Sequence, residues 1–478
     1  MRAPSKEVRD SLLCELVSWL EAERASLMAD WARQGLPPTV MRTRPLGQVE
    51  IVFQPATGRP GHGTVTAQCR LTQEDVEVSR LNVSGDAPLV LSLRTPPPVD
   101  TFMRVYGDDF VDSVLMGAQE LDSALIGAKA DGPAGRLTPL FARLAGDYVA
   151  MLPAVTSGDL ILARKVAESY LEFVEADEVT WVDSIPIGGV APPETPIDAG
   201  HAGLQVTLRK LGVEEVGELL RSAMPFDTMD PPKVRPVGLQ NEALPASCMC
   251  TCLLTARRRQ AKIGAGHPPK GPLAQTVLAL QLMGYDIFGP GAGASWTEPG
   301  PRLAQFGVNV PMPRLLWGLP GPRAFSPLGR DELLRALDLM GRIPEGCFDQ
   351  VGGRREVALN RFSSATAQEQ DANALIDYVI ALEALLVPDA GKTETTLRFR
   401  LNGARYLAAD TEERALLFAD LGKLYEARST LVHGNETRKL RNLPDLRRTA
   451  QALAARGIVK AVESHWPTAE EFQTAALR

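Results

Sequence analysis

The sequence predicts an α+β protein, with a mixed N-terminal region that carries a small antiparallel sheet and a C-terminal region built only of helices. Two changes of hydrophobic period point there. Short β-branched runs at 49–53, 64–69, 76–79 and 89–93 are bounded by Gly, Pro or Asp, the pattern of brief strands. Past Asp331 the apolar residues recur every three or four positions and continue so to the end, the pattern of helices packed on one side. A third observation is length: 478 residues exceed what one ordinary core encloses. Three regions are expected: a mixed regulatory or sensor region at 1–236, a connecting region at 237–345 with a strand, a helix and a Gly/Pro-rich segment, and a helical bundle at 346–478.

Taken in order, residues 8–33 set Val8, Leu12, Leu13, Leu16, Val17 and Leu20 at helical spacing, and Gly35, Pro37 and Pro38 end that helix. Helical patterns return at 110–129, 139–151 and 158–174. The proline-rich stretches 186–196 and 225–236 read as linkers. A strand is expected at 246–255 and a helix at 274–283, followed by an irregular Gly- and Pro-rich connection over 284–327. Helices at 364–387, 394–408, 411–433 and 445–465, joined by short connections, form an antiparallel four-helix bundle.

Composition narrows the function classes. A net charge of −7 argues against a chain that coats nucleic acid, although residues 395–448 hold eleven Lys or Arg against seven Asp or Glu, a modest local basic patch. The N-terminal residues lack a signal-peptide core, and no apolar run approaches the ~20 residues of a membrane span, so a cytoplasmic protein without membrane contact is expected. Six cysteines in so long a chain do not make a disulfide scaffold. Cys248, Cys250 and Cys252 alternate on one strand face without the CxxC turns of a zinc site, and read as small buried hydrophobes. Residues 289–295 lack the Lys-Ser or Lys-Thr of a phosphate loop. No cofactor and no metal enter this reading.

The most pointed feature is Arg428 followed five residues later by His433, one of five histidines, at the end of an amphipathic helix before Gly434. Residues five apart are turned by about 140° on a helix with ~3.6 residues per turn, so the pair converges only where the helix ends. Glycine after the last helical residue supplies that exit, letting His433 fold back while Leu431 and Val432 stay in the core. A histidine titrates near ~6.5 and can move a proton at neutral pH. An arginine keeps its charge and can clamp a phosphoryl oxygen. The plain alternative is that both stabilise the negative end of the helix dipole, at ~0.3–1 kcal/mol each. Glu383, set among Leu382, Leu385 and Leu386, needs a cation, drawn from the Arg428 helix or from Arg398, Arg400 or Arg405. Asp377 lies on a different face and reads as solvated. Arg257, Arg258 and Arg259, after a strand, are either weak RNA contacts or protection of a sheet edge; Arg438 and Lys439 are further weak RNA-binding candidates.

The segment 381–386, Ala-Leu-Glu-Ala-Leu-Leu, then an arginine-containing helix, then Tyr425, Arg428, Ser429, His433 and Gly434, resembles the Apea-like branch of the HEPN superfamily. The resemblance covers about 275–435 and is firmest from Arg361 to Gly434. It implies a HEPN four-helix bundle that acts as a metal-independent endoribonuclease in bacterial anti-phage defence, two copies meeting so that Arg428 and His433 of each form one site. Ser429, Glu383 and Tyr425 are its expected supporting residues; many active members carry Asn, Asp or His where this chain has Ser429. The implied partners are an RNA substrate, a second copy through the bundle and a phage-derived trigger. Two other readings fit the same residues: a non-catalytic HEPN module that binds RNA, nucleotide or a protein, and a toxin restrained by a separate antitoxin.

Overall fold

The computed structural model describes residues 4–33, 49–55, 63–69, 93–107, 158–212, 251–261, 272–287, 294–300, 326–343, 353–366, 370–388, 395–433 and 442–476, together with residue 368 and scattered positions between 137 and 149. The expected helix at 110–129, the strand at 76–79, most of that at 89–93 and the linker at 225–236 lie outside the described residues, as do Cys248, Cys250, Gly434, Arg438 and Lys439.

The N-terminal region closes around helices. Helix α1 (Lys6–Arg33) buries Leu12, Leu13, Leu16 and Leu20 of the stripe its spacing predicts, together with Trp19, while Val8 is exposed. A two-stranded antiparallel pair follows, β1 (Val49–Pro55) with β2 (Gly63–Cys69), two of the four strands expected there. Helix α2 (Val99–Tyr106) brings Phe102, and α3 (Leu160–Glu175), capped by Asp159, brings Val166, Tyr170 and Phe173 into the same apolar cluster as α1. Polar braces surround it: Arg9 bonds Glu175, which also accepts from the Tyr106 hydroxyl, and Tyr148 donates to Glu21.

The larger sheet lies in the middle of the chain. It comprises β3 (Glu178–Ile187), β4 (Ile197–His201), β5 (Leu204–Lys210), β6 (Cys252–Ala261) and β7 (Ala294–Glu298), in the order β4-β5-β6-β3-β7, all antiparallel. Two expectations are corrected here. Pro186 is not in a linker but in β3, opposite Leu253. The Ile187 carbonyl accepts from the Thr251 N–H on the β6 side, so alternation turns the Pro186 nitrogen to the other side, where pairing with β7 has already stopped at Ser184. The connection over 284–327 likewise contains a strand, β7. Because β3 and β5 bond to β6, the sheet also joins residues on either side of the expected boundary at 236.

One face of the sheet, with Ile185, Ile187, Val206, Leu208, Leu254 and Ala256, packs on α4 (Pro272–Leu282) and α5 (Arg330–Met340). The C-terminal helices continue the same cluster: α6 (Arg354–Thr366), α7 (Asp371–Leu386), α8 (Thr395–Leu407), α9 (Thr411–Val432), α10 (Leu443–Glu463) and α11 (Ala469–Ala476). The expected helix at 364–387 is two, because α6 ends at Thr366 and α7 starts at Asp371. Helix α7 is buried almost all round, through Ala374, Leu375, Tyr378, Val379, Ala381, Leu382, Leu385 and Leu386, as the central helix of a packed group. The buried Asn402 side chain donates to the Leu386 carbonyl at 2.9 Å and so ties α8 to the open C-terminal end of α7. Helices α8 and α9 run antiparallel, with Phe399 stacked near Tyr425 and Gly403 against Leu421. No described helix is long and apolar enough to cross a membrane.

Candidate functional site

Helix α9 starts at the N-cap Asp410, whose carboxylate accepts from the Glu413 N–H, while Glu413 accepts from the Ala409 N–H. Over 22 residues it buries only Leu417, Leu421, Leu424 and Ala427, a single stripe against α7 and α8. Arg428 lies four residues beyond Leu424, so it sits at the border of that stripe with its side chain 26% exposed. The stripe aims the guanidinium at α7, where Glu383 occupies the matching border position with its side chain 20% exposed. The two approach to 3.6 Å, Nη2 to Oε2. The Tyr425 ring, one turn earlier, lies 5.9 Å from Arg428 Cζ and leans on Phe399.

Burial pushes the Glu383 carboxyl up from its ordinary range, and this outweighs the opposite pulls of the Arg428 charge and a hydrogen bond from Tyr425. The ion pair is long, and Arg428 Nε is buried without a hydrogen-bond partner among the described residues. Arg428 is therefore a cation held by packing and by one carboxylate, with donor capacity left over. Glu383 meets a cation of the Arg428 helix, as expected.

His433 is the C-cap of α9, at φ −88° and ψ 0°, and its N–H still donates to the Ser429 carbonyl at 3.1 Å. Its ring is exposed, and among the described residues no hydrogen bond or ion pair joins it to Arg428. The structure thus brings Arg428, Glu383 and Tyr425 together and leaves the exposed His433 ring without a hydrogen bond or ion pair among the described residues, while the turn expected from Gly434 falls outside them. Val432 corrects an expectation: it is 50% exposed, because it falls off the 417-421-424-427 stripe, and only Leu431 packs against the core.

Asp377 is also corrected. It is buried, and its Oδ1 accepts from Arg361 Nη1 at 2.8 Å across the α6–α7 contact. Arg257, Arg258 and Arg259 are not at a sheet edge, since β6 is the central strand. Arg257 and Arg259 share one face and pair with Glu298 and Glu178, while Arg258 alternates to the other, opposite Trp181. Cys252 is buried, with its thiol pushed up to about 12 by burial, as a small hydrophobe behaves.

Sequence reasoning offered Arg400 only as a partner for Glu383 and missed its own site. Its guanidinium stacks 3.9 Å from the Phe418 ring centroid and its Nε donates to the Phe418 carbonyl at 3.2 Å, beside the Arg428 cluster on α9. The signal was present as Arg400 and Gly422, a basic residue and a glycine that meet only once α8 and α9 are paired.

No protein-family model matches the chain, and neither a curated protein nor a solved structure matches it. The HEPN resemblance accordingly stands on the residues of the 359–434 segment themselves.

Proposed function

We propose that the chain is a metal-independent endoribonuclease of the HEPN type, acting as a homodimer in bacterial anti-phage defence, with Arg428 and His433 as its catalytic pair. One observation carries the reading: an arginine braced by Glu383 and Tyr425 shares a helix end with an exposed histidine that no described residue engages. RNA brings its own nucleophile. The 2′-oxygen attacks the adjacent phosphorus as a neutral imidazole takes its proton, the bond to the 5′-oxygen breaks, and a protonated imidazole from the second copy supplies that oxygen with a proton. The guanidinium stabilises the phosphoryl oxygens as charge collects on them. The product is a 2′,3′-cyclic phosphate. Exposed Leu397 on α8 and Val432 on α9 offer a second copy apolar area beside this helix end.

A second reading is favoured by the Arg428–Glu383 ion pair: a binding module in which that arginine only holds α9 to α7. Cleavage separates the two. The full chain incubated with RNA in excess EDTA should leave cyclic phosphate ends and spare an otherwise identical DNA. His433→Ala and Arg428→Ala should each lower the rate by at least about a hundredfold, the scale of a lost proton shuttle or charge clamp. Full activity in both folded variants would remove the catalytic assignment.

A further inference from the structure

Between α8 and α9 runs an open groove of about 610 Å³, lined by side chains from both helices. Its floor is Gly422, and over it lies Arg400. A methyl group at residue 422 would sit 2.9 Å from Arg400 Nε and 3.1 Å from Cζ, so the missing side chain is what leaves room for the guanidinium. Glycine is among the poorest residues for a helix interior, yet here it stands midway along the 22 residues of α9. The Phe418 ring and carbonyl fix one face of Arg400 and its Nε. Among the described residues no carboxylate pairs with it, which leaves the terminal nitrogens as an oriented, uncompensated donor pair. Lys423, also in the wall, is already engaged with Asp420 at 2.8 Å and adds less.

The hydroxyl residues Thr396 and Ser429 and the ring of Tyr425 complete the wall, and Glu426 stands on the same lining. Tyr425 is shared with the Arg428 cluster and Ser429 is next to Arg428 in the chain, so the groove borders the candidate site along α9. From this arrangement we infer that the α8–α9 groove holds a backbone phosphodiester of the single-stranded RNA, next to the bond presented to Arg428, with Arg400 as its fork-shaped anchor. A guanidinium with two free parallel donors matches two phosphate oxygens. The Glu426 carboxylate disfavours a doubly charged free phosphate and tolerates the single charge of a diester. The inference rests on the ribonuclease reading for its choice of RNA.

The test is fluorescence anisotropy of a short, labelled 2′-O-methyl RNA, which cannot be cut by 2′-oxygen attack, binding to the full chain. Arg400→Gln should weaken binding about tenfold and reduce the salt slope of log K by about 0.7, the share of one phosphate contact on a single strand. Gly422→Ala, which favours the helix, should weaken it through displacement of Arg400 while the thermal midpoint holds or rises. Arg456→Gln, which removes a cation outside the groove, should leave affinity within about twofold. Inorganic phosphate at matched ionic strength should not displace the RNA. Unchanged affinity in both groove variants, displacement by phosphate, or a shift of oligomeric state with unchanged RNA affinity would each overturn the inference. Cleavage of unmodified RNA, followed in parallel, keeps the two readings apart. Affinity lost in Arg400→Gln without any wild-type cleavage retains the groove and removes the nuclease; cleavage with unchanged Arg400→Gln affinity does the reverse.

Discussion

At Glu383 two demands conflict, and the carboxyl records the outcome. Its folded-state pKa lies above the ordinary value of 4.5 because burial prevails over Arg428 and Tyr425. The fold therefore prefers the protonated form. The stability contribution is fully present below pH 4.5 and is lost as pH rises from there through the folded pKa. Glu383→Gln removes that loss: its melting temperature should equal wild type below about pH 4, where both side chains are neutral, and exceed it increasingly towards pH 7. On the ribonuclease proposal the same variant should cleave RNA more slowly, since Arg428 loses its one charged brace among the described residues. A flat difference in melting temperature from pH 3 to pH 7 would contradict the burial argument. Glu383 was legible in sequence because a carboxylate among leucines on one helix demands a cation. Asp377 was not, because its partner Arg361 belongs to α6, whose buried face includes Ser363 and Thr366 and so carries little hydrophobic pattern.

At the scale of elements, close approach of backbones sets how α7, α8 and α9 meet. A methyl group at the buried Gly403 would fall 2.5 Å from Leu421 Cδ1 and 2.9 Å from Leu386 Cδ1. Gly403→Ala gains about 1 kcal/mol of helix propensity. Against that, overpacking costs about 1–3 kcal/mol, and two leucines must move at once. The expected result is a net loss of stability in urea titration with an unchanged slope, the reverse of Gly422→Ala on the open side of the same helix pair. Helices with a one-sided stripe were readable to within a few residues, as α1 and α9 show. Strand β3 was not: every residue from Trp181 to Ile187 is buried or half-buried, so the alternation that marks a half-exposed strand is missing, and Pro186 argued against a strand.

For the whole molecule, the helices after residue 343 do not enclose their own interior. Leu273, Val277, Leu333 and Leu337 of α4 and α5 belong to one apolar cluster with Leu382, Leu385, Leu421 and Ile458, and the sheet closes its other side. A fragment of residues 344–478 should therefore expose that surface and aggregate or unfold without cooperativity, as seen by circular dichroism in urea. A fragment of residues 177–478 should fold. If residues 1–176 restrain a nuclease, that longer fragment is also the one that should slow growth more than the full chain when the two are expressed at matched levels. Cooperative unfolding of 344–478 alone would show that the helical part is self-sufficient.

The apolar interior is divided: α1, α2 and α3 surround one cluster, and the sheet with α4 to α11 surrounds another. Chain continuity at Ala176 and Asp177, Val179 reaching back into the first cluster, and the Ser169 hydroxyl on the Gly300 carbonyl at 2.8 Å link the two parts. Two separate apolar clusters among the described residues are expected to melt with separate enthalpies. A calorimetric scan should resolve two heat-absorption peaks. A ligand of the α8–α9 groove should displace only one of them, so the scan itself would report which half of the chain a ligand has found.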